Sequence, residues 1–438
     1  MFTTIALLIL VFIAYLALRD RVKRRRLSAK GIQKILNALS QHLLLEEWEQ
    51  AEKHLDLLLQ QDVKGKKISL FTVQVLRNRG ALQEALAKAR EGAELYPEEL
   101  LFRLEEGKVL LTLGRPKEAL QALHLCSPII RSESNYYLLA SAFFHAGHYS
   151  RAHQILTPLL PHTQSGEVFF LFGEILFAQK EFAQAIQAYF QAMEYGYHSH
   201  KLFSQLGHAY RRLGNLSQAE KVFREILEKS PGDLIATLGL GACLEERGHH
   251  QKALLIYQSS EAWEEHNPTL FKAAGLCALK TKKYSLARQY FGEIMQSTSP
   301  DAELLSYYGF ALEGEKRWQE AEQTYLQIIH YFPSNPTGFR ALAWMFGVGL
   351  TKTLSPEEGI SFAHIALKLQ NETICWEILS ACEARGGNFE KAYQIQERLS
   401  ALDKGRESRS RRQQALRHLR KNLPLENHHI LRTEKLVA

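Results

Sequence analysis

The chain lacks the motifs by which most enzymes are recognised. No P-loop, no GxGxxG opening a βαβ unit, no GxSxG elbow and no HExxH pair occurs in its 438 residues. No long non-repeat segment remains to house a catalytic domain, so the reading is of a protein that is not an enzyme. Proline is scarce at 12 residues, and 27 glycines are too few for a collagen-like or low-complexity chain. Five cysteines, Cys126, Cys243, Cys277, Cys375 and Cys382, form an odd set without a CxxC. A disulfide scaffold is thereby excluded, and buried thiols in a reducing compartment are expected. Histidine is not scarce, and His198, His200 and the pairs His249-His250 and His428-His429 invite a metal. With no cysteine or carboxylate at ligand spacing they read as solvated turn residues, and no metal or other cofactor is expected.

The body of the chain also lacks net basic charge, although the whole carries +7. Residues 19–34 hold a net +7 and residues 403–438 a net +6, which leaves residues 35–402 at −6. The basic balance belongs to the flanks, and so do any anionic partners it implies.

What the chain has is a period. Gly173, Gly207, Gly241, Gly275 and Gly309 stand 34 residues apart, and so do Ala185, Ala219, Ala253, Ala287 and Ala321. Four residues after each alanine comes an aromatic: Tyr189, Phe223, Tyr257, Phe291, Tyr325. Such a period marks a helix-turn-helix unit that cannot bury its own apolar face and must stack on its neighbours. The cleanest copy has Phe203, Leu206-Gly207, Tyr210, Leu213-Gly214-Asn215, Ala219, Phe223 and Pro231. It resembles the tetratricopeptide repeat (TPR) family, whose signature places a large residue, Leu-Gly, Tyr, Ala, Phe and a closing Pro at these offsets. The resemblance implies an all-α, right-handed superhelical solenoid of helix-turn-helix repeats.

The register runs further than the glycines. Ala51, Ala85 and Ala119 are again 34 apart, and Ala152 and Ala185 follow at 33. The first repeat takes Ile32 to Leu45 and Trp48 to Leu59 as its helices; Gly107, Gly114 and Leu123 mark the third, and Tyr136, Ala140, Phe143 and Gly147 the fourth. Glycines 114, 147, 214 and 248 fall in the turns, where a helix often ends at positive φ. Lys180, Lys282 and Lys316 stand there in other copies, implying turns held by packing. Cys243 and Cys277 share one register position, about a repeat spacing of 10 Å apart, beyond disulfide reach. After Pro333 the period breaks. Phe339 to Phe346 reads as a first helix, residues 347–356 as a longer loop, Pro356 to Leu369 as a second helix, and Trp376 to Leu402 as a last repeat. Many TPR arrays close on a similar Ala-Trp helix, here Leu342-Ala343-Trp344, followed by an Ala-containing one. The solenoid thus spans 32–402 in about eleven repeats, most regular over 167–333 and atypical over 337–402. Residues 403–438 read as a solvated basic helix and a loose tail.

Phe2 to Leu18 carries no charge. At 1.5 Å per residue it makes a helix of about 25 Å, marginal against a hydrocarbon core of about 30 Å. The basic linker 19–31, with Arg19, Arg21, Lys23, Arg24, Arg25 and Arg26, follows it. By the positive-inside rule residues 1–18 are expected to be a transmembrane anchor with the N-terminus outside and the body cytoplasmic. The basic residues would also meet anionic lipid at the membrane surface. This plan resembles the membrane-anchored lipopolysaccharide assembly protein B family, whose C-terminal metal module with paired CxxC motifs is lacking here. That likeness implies a single-pass protein of a bacterial inner membrane, acting in envelope biogenesis or complex assembly.

TPR arrays bind along a concave surface lined by first helices. Transferred by register, the inward residues of the third to fifth repeats include Leu104, Leu111, Tyr137, Phe144, Phe170 and Phe177. The sixth repeat offers Ser204, His208, Arg211 and Arg212, and the seventh Glu245 and Glu246. An apolar, aromatic groove suits an amphipathic helix or an extended peptide. The chaperone-type carboxylate clamp, with Lys and Asn at such sites, is not matched. The expected role is a membrane-anchored scaffold recruiting proteins or peptide segments. The alternative is a nucleic-acid-associated protein placing Arg406, Arg409, Arg411, Arg412, Arg417, Arg420 and Lys421 on phosphates.

Overall fold

A computed structural model of the protein describes residues 28–126, 132–263, 267–402 and 406–426. Among the described residues there are 23 α-helices and no strand. The helices pair as hairpins, and the contacts divide the chain into two units, one ending at His198 and one beginning at Ser199. The first unit holds five hairpins, from Ala29–Leu44 with Trp48–Gln60 to Gly166–Ala178 with Phe182–Glu194. The second holds six, from His200–Arg212 with Leu216–Lys229 to Thr373–Arg385 with Phe389–Leu402, and a further helix, Arg406–Leu419.

The helices form where apolar residues recur at three and four. Leu202, Leu206 and Ala209 are the buried face of one helix, and Ala219, Phe223 and Ile226 that of its partner. Caps fix the starts of first helices. The Ser199 hydroxyl accepts from the Leu202 amide at 3.1 Å, and Asp233 and Asp301 carboxylates accept from Ala236 and Leu304 at 2.6 and 2.7 Å. Pro268, Pro336 and Pro356 each stand at a helix's first turn, where the missing N–H costs nothing.

Each hairpin of the regular stretch, from Gly173 to Tyr325, closes at one point. A Cβ placed on Gly241 would lie 2.1 Å from the Tyr257 ring, and one on Gly275 2.6 Å from Phe291. The helices therefore approach through glycine while a fully buried aromatic fills the space opposite, burial worth roughly 1.5–3 kcal/mol per ring. The turn between the helices is left-handed in every regular copy. Gly214 and Gly248 adopt φ of 83° and 78°, and Lys180, Lys282 and Lys316 adopt 66°, 59° and 62°. Lys316 N–H donates to Glu313 O, and Arg317 N–H to Leu312 O, both at 2.9 Å, closing the helix end whatever residue stands there.

Two expectations change. Among the described residues no helix is long and apolar enough to cross a membrane, so the single-pass membrane placement and the transmembrane helix are not upheld. Residues 1–18, and Arg19 to Arg26 after them, lie outside the described residues. The basic C-terminal helix is also not solvated all round. Ala415 and Leu419 are buried, as is Leu425 beyond it. Arg412, 4% exposed, meets the fully buried Glu377 carboxylate at 3.0 Å and donates to Leu399 O at 2.5 Å. Arg411 meets the same carboxylate at 3.1 Å. A guanidinium with such partners is held inside rather than in water. The loop before Pro356 is tied down as well, its Thr351 and Thr353 hydroxyls donating to the buried Glu322.

Candidate functional site

Counting from the repeat glycine, whose place Ala140 takes in the fourth hairpin, puts one side chain per hairpin at each offset, so that equivalent residues form rows. Three residues before it stand Leu104, Tyr137 and Phe170 in the first unit, and Ser204, Leu238, Lys272 and Ser306 in the second. Four residues after it stand Leu111, Phe144 and Phe177, and Arg211, Glu245, Leu279 and Glu313. The two offsets are seven residues apart, two turns along one face.

In the first unit these residues sit at different depths. Leu104 and Phe170 are buried, Phe170 stacked on Tyr197 with ring centres 4.9 Å apart, so both belong to the packing between helices. Leu111, Tyr137, Phe144 and Phe177 are half-buried. Tyr137 and Phe144 pack on the core of Ala140, Ala152 and Leu156. Phe144 lies 5.2 Å from His145 and 5.7 Å from the exposed Tyr149, and Phe177 meets Phe182 edge-on at 5.3 Å. Beside Tyr149 a cleft of ≈ 370 Å³ is lined by His148, Arg151 and Gln179. The Arg151 guanidinium lies 5.9 Å from the Phe143 ring.

In the second unit the same rows mix Leu238 and Leu279 with charged residues, most of which are paired internally. Arg211 is ion-paired to Glu246 at 2.5 Å, Arg212 is exposed, and His208 packs edge-on against Phe223 at 5.2 Å. Burial, then the Arg211 and Arg212 charges, hold the His208 imidazole below its ordinary pKa. Lys272 meets Glu303 at 2.6 Å, and the Tyr307 hydroxyl donates to the same carboxylate at 2.7 Å. Tyr257 donates to Glu245 at 2.7 Å and Tyr325 to the buried Glu313 at 2.5 Å. The Phe copies have other residues there: Arg211 opposite Phe223 and Leu279 opposite Phe291. Tyr189 has Phe177 at that offset and donates instead to Glu174 at 3.1 Å, so every Tyr of the packing series meets a carboxylate, though not always from one register position.

Buried acids are what the sequence reading missed. Glu105 and Glu106, side by side in Leu101–Thr112, are both buried. Glu105 meets Arg77 at 3.1 Å and Lys108 at 2.8 Å, while Glu106 meets Arg90 and Arg103 at 2.8 Å each. Arg103 and Lys108 belong to the same helix, whereas Arg77 and Arg90 arrive from two other helices through tertiary packing, which no single repeat displays.

Metal-type ligands also meet where none was expected. One ligand atom each from Glu245, His250 and Cys277 lies within 4.8 Å of the others. They come from three helices, Leu234–Glu246, His250–Gln258 and Pro268–Lys280. The Cys277 thiol is buried and is pushed far up in pKa, by burial first and by the nearby Glu245 carboxylate second. His250 Nδ1 is buried with no hydrogen-bond partner among the described residues. The signal lay in the register, because nine residues after the repeat glycine other copies carry Phe182, Leu216, Tyr284 and Trp318. The remaining histidines stay apart: His249 and His198 are exposed, His200 meets Asp233 at 2.9 Å, and His428 and His429 lie outside the described residues. All five cysteines are buried and free of disulfides.

The phosphate-binding alternative loses side chains to intramolecular partners. Arg411 and Arg412 are committed to Glu377, and Arg420 donates to the Tyr393 hydroxyl at 2.8 Å. Arg417 and Lys421 are exposed.

Comparison with known proteins gives two family matches. The tetratricopeptide repeat profile matches residues 204–267, and that of the anaphase-promoting complex, cyclosome, subunit 3 matches residues 122–192. Bovine BBSome complex member BBS4 is 22% identical over 214 residues, 49% of this chain; the match spans 41% of that relative's length, less than half. Among solved structures, PilF of Pseudomonas aeruginosa is similar at a TM-score of 0.39 and 16% identity, over 46% of this chain and 92% of that one. Yeast Tom70 is similar at 0.39 and 13% identity, over 90% and 89%. Scores so low add nothing to what the repeated residues and the family profiles carry.

Proposed function

The chain is a tetratricopeptide repeat protein, and from that premise we propose that it is a non-catalytic scaffold whose first unit takes up a protein segment on its first-helix face. TPR proteins bind protein or peptide partners, and repeats of this kind are generally scaffolds. The observation that carries the reading is the row Leu111, Tyr137, Phe144 and Phe177, half-buried and apolar, where the second unit carries charges that pair among themselves. Apolar side chains left partly in water gain by being covered, at about 25 cal/mol per Å² of apolar surface removed. Charges already paired gain little from a partner and lose hydration. The segment that suits the face has an apolar stripe, as an amphipathic helix presents, with an acidic residue where Arg151 stands beside Phe143. In the second unit His208, Arg211 and Arg212 offer less, since Arg211 is spent on Glu246.

The test is to pan a displayed peptide library against the full chain and against F144A/F177A. The reading expects a common apolar stripe among enriched peptides, tenfold or greater loss of affinity in the variant, and little change in melting temperature. A variant that melts early yet binds as before would place both rings in the core and end the proposal.

A further inference from the structure

We propose that Glu245, His250 and Cys277 form a binding site for a zinc-class divalent ion that pins three helices of the second unit. The three side chains supply a carboxylate, an imidazole and a thiolate, the donor set that suits a borderline-soft cation over calcium or magnesium. Their ligand atoms already lie within 4.8 Å of one another. Ideal bond lengths of about 2.0–2.3 Å put ligand atoms roughly 3.5 Å apart in a tetrahedron, so the side chains need close in by no more than about 1.3 Å on binding.

Three further observations favour an ion over ordinary packing. His250 stands where other hairpins have Phe182, Leu216, Tyr284 or Trp318, so packing alone does not call for an imidazole. Its Nδ1 is buried and has no hydrogen-bond partner among the described residues, which is costly unless something fills that role. Tyr257 donates to Glu245 at 2.7 Å and is wedged against Gly241, holding the carboxylate as outer partners of metal ligands do. The repeat's own packing aromatic thus serves as the orienting residue. Cys243, at the same register position one hairpin earlier, has Arg211 and Leu216 at the positions of Glu245 and His250.

Binding is an exchange without redox change. The ion takes the Cys277 sulfur as thiolate, and the thiol proton leaves to solvent. Glu245 keeps its charge, His250 gives a lone pair from the neutral ring, and water completes four-coordination.

The experiment titrates the full, reduced, metal-free chain with Co²⁺ and then displaces it with Zn²⁺. The wild type and Cys243→Ser should show one equivalent with a thiolate-to-cobalt charge-transfer band and tetrahedral visible bands. Cys277→Ser and His250→Leu should lose the charge-transfer band and bind Zn²⁺ a hundredfold or more weakly. Tyr257→Phe should bind about tenfold more weakly. Leucine is the native residue at His250's position in the hairpin before, so that variant should keep its circular dichroism and stay informative if Cys277→Ser unfolds. No charge-transfer band in the wild type, or a band that survives in either ligand variant, overturns the site.

Discussion

Four residues after the repeat glycine, or after Ala140 in its place, the third to fifth hairpins carry Leu111, Phe144 and Phe177, and hairpins of the second unit carry Arg211, Glu245, Leu279 and Glu313. The backbone is the same helix-turn-helix in both. In the second unit the polar residues find partners within the chain: Arg211 on Glu246, Glu245 on Tyr257, Glu313 on Tyr325. In the first, aromatic rings are left half in water. One register position therefore does two jobs, self-assembly of the stack in one unit and an open apolar face in the other. A repeat signature cannot tell them apart, because it records only the packing residues they share.

The difference breaks most sharply at Glu377, where internal pairing reaches full burial. Replacing it with alanine leaves the Arg412 guanidinium inside without its carboxylate, and should cost about 3–5 kcal/mol in urea unfolding of the second unit. A loss below about 1 kcal/mol would contradict the claim that buried charge holds that end of the chain together.

A smaller effect tests the Tyr–Glu pairs. Tyr325→Phe removes the donor to the buried Glu313 and should cost about 1–3 kcal/mol. The double variant E313L/Y325F copies the Leu279 and Phe291 solution of the preceding hairpin and should recover most of that loss. Recovery failing in a double-mutant cycle would mean that the alternation of Tyr and Phe has another cause.

Backbone strain in the turns comes next. Lys316 holds φ of 62°, a conformation that costs a side-chain-bearing residue roughly 1–2 kcal/mol. Lys316→Gly should raise stability by about 1 kcal/mol or less, part being lost to the freer unfolded chain. Gly248→Lys should lower it by a similar amount.

The smallest expected effect is a pH dependence at His208. Burial and the two arginines favour its neutral ring in the folded state. The stability this contributes is present above the ordinary imidazole pKa and is lost as pH falls, because the unfolded chain takes up the proton first. Melting temperatures between about pH 7.5 and about pH 5.5 should fall more steeply for the wild type than for His208→Gln.

How much of this was legible in the sequence follows from what each feature needs. The hairpins were, because glycine, alanine and aromatic must recur at fixed offsets for two helices to touch. The turns were legible in place: Lys180, Lys282 and Lys316 stand where other copies have glycine, and the closing bonds use backbone groups that tolerate either residue. Glu377 with Arg412, and Glu245 with Cys277, were not legible, since each pair joins helices about one repeat apart and neither residue is unusual locally. The apolar row was named from the register, but its depth was not: Leu104 and Phe170 are core while Phe144 and Phe177 remain half exposed. The membrane placement rested on residues 1–18 and finds no support in any described helix.

The measurement that tests the central claim most directly is hydrogen–deuterium exchange on the full chain, with and without a peptide enriched by panning. The account predicts new protection over Glu133–His145 and Gly166–Ala178, abolished in F144A/F177A, with Leu234–Glu246 and Ala302–Gly314 unchanged. Protection confined to helices of the second unit, with none in the first, would contradict it.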